Sequence, residues 1–176
     1  MYALAFNTFE GQIYKLPDSA VQEFYVCERQ EAIAGLDPGY RDPTAYVVIV
    51  YDMTHDRFHI VDEYLEVEAT TAGHAEKIAE LNRRWKVDLV FIDSAAAQFA
   101  ADLAYTYDIA TTRAKKDVLP GIAYVQTLLQ QGRLKVAPHC THTRAMFDQY
   151  RWDQREGLQR ERPLHDKYSH MADAVR

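Results

Sequence analysis

The chain is poor in the features that mark secreted, membrane and nucleotide-binding proteins. It has only two cysteines, Cys27 and Cys140, and they form no CxxC pair. Such sparse, unpaired cysteine argues for a reduced compartment and against a disulfide framework. No apolar run approaches the roughly 20 residues of a membrane span, and no signal-peptide pattern is present. The sequence contains no G-x-x-x-x-G-K-[ST], no GxGxxG, no HExxH and no GxSxG. A Walker phosphate loop, a dinucleotide fingerprint, a zincin site and a hydrolase elbow are thereby excluded. His139-Cys140-Thr141-His142 has the look of a zinc fragment but lacks a second ligand pair at suitable spacing.

What is present is an ordinary globular composition. In 176 residues, 48% are hydrophobic and 26% charged, enough for one domain with a substantial core. The formal charge of −6 is unevenly spread. Acids gather at Asp62, Glu63, Glu66 and Glu68, bases at Arg83-Arg84-Trp85-Lys86, Arg113-Ala114-Lys115-Lys116 and from Arg151 onward. Charge alone leaves a nucleic-acid partner open.

Residues 1–31 mix aromatics with turn formers and read as an irregular or short-stranded lead-in. Three apolar runs follow: 32–37, 45–51 and 58–64. Their short connections predict antiparallel pairing. Thr70 or Thr71 can cap a helix carrying Ile78, Leu81 and Trp85 at helical spacing. A strand over 87–93, a helix over 95–106 capped by Ser94, and a short strand over 109–112 come next. A helix then runs from Asp117 to a stop at Gly132, and 134–136 can add an edge strand. A helix over 142–150 and a turn-rich stretch lead to a final helix. The order predicts an α/β fold with a mixed sheet of five or six strands, three antiparallel and the rest parallel, flanked by helices.

Chemistry concentrates at two strand ends and in the last helix. Asp37 and Asp93 each close a predicted buried strand, at the sheet edge where α/β proteins bind ligands. Asp166, His170 and Asp173 are spaced i, i+4, i+7, so a helix through them would present two carboxylates and an imidazole on one face. Ser169, Ala172 and Ala174 would let that helix approach a neighbour closely. Clustered carboxylates are costly unless a cation offsets their repulsion. An oxygen-rich set of this kind suits Mg²⁺ or Mn²⁺, and His170 could add a nitrogen ligand. Two such ions would activate a water and stabilise a leaving oxygen in phosphodiester hydrolysis. A plainer reading stands beside this one: Asp93 as a turn or cap residue, Asp166 as an N-cap and His170 as a half-buried core histidine.

Three stretches then carry a resemblance. Gly35-Leu36-Asp37-Pro38-Gly39-Tyr40-Arg41-Asp42-Pro43-Thr44-Ala45, Val90-Phe91-Ile92-Asp93, and Pro163-Leu164-His165-Asp166 leading to Ser169-His170-Met171-Ala172-Asp173-Ala174 occur in this order. Together they resemble the C-terminal nuclease domain of tailed-phage terminase large subunits, from about residue 33 onward. The resemblance implies an RNase H-like (RuvC-like) fold over 32–176. Residues 1–31 would then be the segment after a packaging ATPase domain that this chain lacks. It also implies a Mg²⁺- or Mn²⁺-dependent endonuclease that cuts concatemeric double-stranded DNA by metal-activated water, with two ions when DNA is bound. By position, Asp37, Asp93 and Asp173 are the metal-binding catalytic acids. His170 is a further metal ligand, and Asp166 a neighbouring ligand-orienting group or cap. Lys115, Lys116, Arg151 and Arg155 are candidates for DNA phosphate contact. The implied partners are double-stranded DNA and, in the full-length protein, the ATPase domain, a portal and a small terminase subunit, with no membrane. The implied location is the cytoplasm of an infected bacterium. A RuvC-like resolvase or transposase nuclease, and a non-catalytic DNA- or portal-docking module, are the alternative readings.

Overall fold

The computed structural model describes residues 11–39, 41–115, 117–154 and 162–176. Its centre is a six-stranded sheet in the order β5-β4-β1-β2-β3-β6. The strands are β1 (Gln30–Asp37), β2 (Thr44–Asp52), β3 (Arg57–Glu66), β4 (Leu89–Ile92), β5 (Thr111–Arg113) and β6 (Leu134–Val136). The first three pair antiparallel, as their short connections require. β4 lies parallel to β1, β5 parallel to β4, and β6 parallel to β3. Val61 is skipped where Val48 faces Asp62 and Ile49 faces Ile60, a bulge in the β2–β3 ladder.

Strand alternation divides the core into two layers. Ala34, Leu36, Tyr46, Val48 and Val50 face one side, against α1 (Thr71–Trp85) and α2 (Ala97–Tyr107). Ala45, Val47 and Ile60 face the other, against α3 (Val118–Gln130), α4 (Thr141–Gln149) and α5 (Ser169–Val175). Ile13 and Tyr14 are buried in this second layer, and backbone bridges join Gln12 to Arg151 and Val21 to Val136. Among the described residues no helix is long and apolar enough to cross a membrane.

Local signals account for most helix ends. Thr70 accepts from the Gly73 amide to cap α1, which closes at Lys86 in the left-handed region. Glu63 of β3 receives the amides of His142 and Thr143 and the Thr143 hydroxyl, each at 2.7 Å, and so caps α4 from another element. Two sequence expectations are corrected. Asp93, not Ser94, provides the cap beyond β4, over a 3₁₀ turn at Ser94–Ala96 that precedes α2. The last helix begins at Ser169, so Asp166 lies in the turn before it and shares no helical face with His170 and Asp173. Ser169 donates its hydroxyl to the Asp166 carbonyl at 2.6 Å, and the Asp166 carboxylate accepts from the Tyr168 amide at 2.8 Å. These local bonds favour a turn over another helical turn.

Candidate metal centre

The parallel register between β1 and β4 pairs Leu36 with Ile92. The residues that follow, Asp37 and Asp93, therefore leave the sheet side by side at its C-terminal edge. Both line a cleft of about 440 Å³, walled by Thr71 and His74 of α1 and by Phe99 and Asp102 of α2. Asp93 Oδ1 accepts from the Ala95 amide at 2.8 Å. The plain reading of Asp93 as a cap is thus correct, and it is compatible with ligation, because a carboxylate offers about four lone-pair sites.

Helix α5 reaches this edge because β1 carries glycine at position 35. A Cβ built on Gly35 would overlap the Ala174 carbonyl, so only glycine admits this contact. Ser169, Ala172 and Ala174 are buried in the same packing. With the helix that close, His170 Nδ1 stands 2.9 Å from Asp37 Oδ2. This hydrogen bond to Asp37 raises the His170 pKa above its usual value, against the opposing effect of burial.

Asp173, one turn on, is bonded to Arg176, which also donates to the Tyr150 hydroxyl at 3.2 Å. Burial pushes the Asp173 carboxyl above the usual carboxylate range; Arg176 pulls it down and the Asp37 charge pushes it up. Asp173 thus senses Asp37 electrostatically. Its side chain keeps 37% exposure, so the carboxylate remains accessible to a ligand.

His170 also gathers with groups that the sequence pattern did not single out. Asp42, His165 and His170 each bring a potential ligand atom to within 4.8 Å of the others. His74 is buried in the cleft wall and meets the Tyr64 hydroxyl at 2.9 Å through Nδ1. Arg176 had no sequence signal beyond its i+3 offset from Asp173. His165 and Asp42 were visible only as members of the recurring stretches, since their meeting requires the β1–α5 contact.

Of the candidate phosphate contacts, Lys115 and Arg151 are exposed, while Lys116 and Arg155 lie outside the described residues. The zinc-like fragment is used otherwise: His139 Nε2 bonds the Val61 carbonyl at 2.9 Å, and Cys140 is buried.

Comparison with known proteins agrees with this fold. Residues 34–175 match the family described as "Terminase RNaseH-like domain". The chain is 42% identical over 187 residues to the terminase large subunit of Escherichia phage T5, covering 99% of this chain and 43% of that protein. It therefore spans less than half the length of that relative. The P22 large terminase nuclease domain superposes with a TM-score of 0.77 at 19% identity, over 94% of this chain and 89% of that one. The g2p large terminase nuclease domain of bacteriophage SPP1, solved with bound Mn, gives 0.64 at 20% identity over 82% of each chain. The mixed sheet and its flanking helices are thus shared architecture, and the chain belongs to the terminase RNase H-like domain family.

Proposed function

We propose that this domain is the Mg²⁺- or Mn²⁺-dependent endonuclease of a viral genome-packaging terminase, cutting concatemeric double-stranded DNA. The observation that carries the reading is the meeting of Asp37 and Asp93 on one cleft, with α5 bringing His170 and Asp173 to the same edge. The donor types, three carboxylates and one imidazole, suit a hard divalent cation, although Asp37, Asp93 and Asp173 do not all lie within 4.8 Å of one another and Asp173 is linked to Asp37 by its charge effect. Asp37, Asp93 and Asp173 would hold the metal, with His170 as a further ligand.

A divalent cation held there would supply polarisation of the scissile phosphate and activation of the attacking water, and a second would be held once DNA is bound. The protein's own groups prepare that site. Asp37 is the central acid, because it sits between Asp93 on the neighbouring strand and His170 on α5. Arg176, bonded to Asp173, partly offsets the rise that burial imposes on its carboxyl. Asp166, locked in its turn, orients the start of α5. Lys115 and Arg151, both exposed, would supply phosphate contacts, which fix the duplex without reading its sequence. In the full-length protein the partners would be an ATPase domain, a portal and a small subunit, in the cytoplasm of the infected host.

The test is cleavage of plasmid DNA by the purified chain with Mn²⁺. Nicking and linearisation are expected with wild type and lost in Asp37→Ala and in Asp93→Ala. Undiminished cleavage by both variants would sink the assignment. Strong preference for branched over linear duplex would instead indicate a resolvase.

A further inference from the structure

Three side chains beside the acidic centre form a set of their own. The loop after β1 turns back so tightly that a Cβ on Gly39 would overlap the Asp42 carbonyl. The Thr44 hydroxyl ties the base of this loop to the Gly39 amide and carbonyl, each at 3.2 Å. The fold-back brings Asp42 to the turn that precedes α5. There a carboxylate oxygen of Asp42 and one ring nitrogen each of His165 and His170 lie within 4.8 Å of one another.

The hydrogen bonds decide which ring nitrogens can ligate. Ser169 Oγ gives its single proton to the Asp166 carbonyl at 2.6 Å, so at 3.1 Å it can only accept from His165 Nδ1. Asp37 Oδ2, an acceptor, takes the proton of His170 Nδ1 at 2.9 Å. Each neutral ring therefore carries its proton on Nδ1 and its lone pair on Nε2. A ring nitrogen tied to an oxygen acceptor, leaving the other as a lone pair, is the usual state of a metal-binding histidine. The two rings stand edge to face with centroids 5.5 Å apart.

We infer that Asp42, His165 and His170 form a second cation site, selective for a transition ion such as Zn²⁺, Co²⁺ or Mn²⁺ over Mg²⁺. Two imidazoles and one carboxylate favour such ions, whereas Mg²⁺ favours oxygen alone. An ion here would fasten the loop after β1 to the turn before α5. Through His170 it would also hold the Asp37 carboxylate in one orientation. With Nδ1 on Asp37 and Nε2 on this ion, His170 would leave the nuclease metal to Asp37, Asp93 and Asp173 whenever the second site is filled, and the ion binds without DNA and without cleavage.

Zn²⁺ titration of the metal-free chain in excess Mg²⁺, followed by NMR of the histidine ring nitrogens, tests this. Before metal is added, His165 and His170 should both carry a proton on Nδ1. Zn²⁺ should then shift Nε2 of these two rings at one equivalent and leave the other histidines unmoved. Asp42 and His165 are exposed, so Asp42→Asn and His165→Ala should fold normally by circular dichroism. Each should weaken Zn²⁺ binding by about tenfold or more, while Asp93→Asn leaves it unchanged. Zn²⁺ shifts that survive intact in both variants, or no shift in wild type, would overturn the site. Shifts without DNA cleavage would leave it standing and remove the nuclease reading; cleavage without shifts would do the reverse.

Discussion

The two sides of the centre are held in different ways. Asp37 and Asp93 ride on adjacent parallel strands, where the ladder between Leu36 and Ile92 sets their relation whatever the surrounding side chains do. Asp173, His170, His165 and Asp42 ride on a seven-residue helix, a turn and a loop. Their positions depend on one glycine contact and on side-chain bonds to Asp37, Ser169 and Arg176. The strand side is fixed by backbone, the helix side by packing. Damage should therefore act on chemistry at the first and on stability and metal affinity at the second.

The largest effect should come from the strand side. A bound metal contributes several kcal/mol to phosphodiester hydrolysis, so Asp37→Ala and Asp93→Ala should each cut the Mn²⁺-dependent nicking rate by about 10³-fold. Their melting temperatures without metal should fall only modestly, as Asp37→Ala loses the bond to His170 and Asp93→Ala loses the cap on the Ala95 amide. A variant that lost activity only by unfolding would erase the distinction between the two sides.

Gly35→Ala attacks the helix side without touching a ligand. Forcing a methyl against the Ala174 carbonyl should destabilise by about 2 kcal/mol and lower Tm by about 5 °C. Mn²⁺ affinity, measured calorimetrically, should fall with it. An unchanged Tm would mean that α5 can back away freely, contrary to the close approach seen here.

Glu63→Ala works one layer further out. It strips the cap from α4, which packs on α5. A cost of about 1–2 kcal/mol is expected in thermal denaturation. Nicking at temperatures well below Tm should stay near wild type, because no ligand is altered.

The smallest effect is a pH dependence. The folded pKa of His170 lies above its ordinary value of about 6.5 because of Asp37. Its protonated pair with Asp37 thus contributes stability in full below about pH 6.5 and loses it as pH rises through the raised value. In metal-free protein the Tm gap between wild type and His170→Ala should narrow as pH increases from about 6 to 8. A gap that widened would mean the imidazole is stabilised neutral rather than charged.

Much of this centre is legible along the chain. The β-branched run from Ala45 to Tyr51 and the apolar runs ending in Asp37 and Asp93 announce a sheet with two acids at one edge. Helix α1 is equally plain, from its Thr70 cap and its 3.6-residue periodicity. The final helix is not. Its i, i+4, i+7 pattern extends back to Asp166, but Asp166 and Ser169 spend their polar atoms on a turn, and the helix starts three residues later. Local hydrogen bonding competes with helix at Ser and Asp, and periodicity does not register that competition.

The sequence by itself determined the alternation that makes β1 two-faced, the order of the elements and the residue types that can hold a cation. Only the tertiary structure decided which of those residues meet. Asp42 and His165 are 123 positions apart in numbering and share no periodicity. They come within ligand range of His170 because the loop after β1 folds back at Gly39 and α5 lies against Gly35. A glycine in the sequence is only the lack of a side chain. Its consequence, a helix backbone resting on a strand beside two carboxylates, exists only once both are packed.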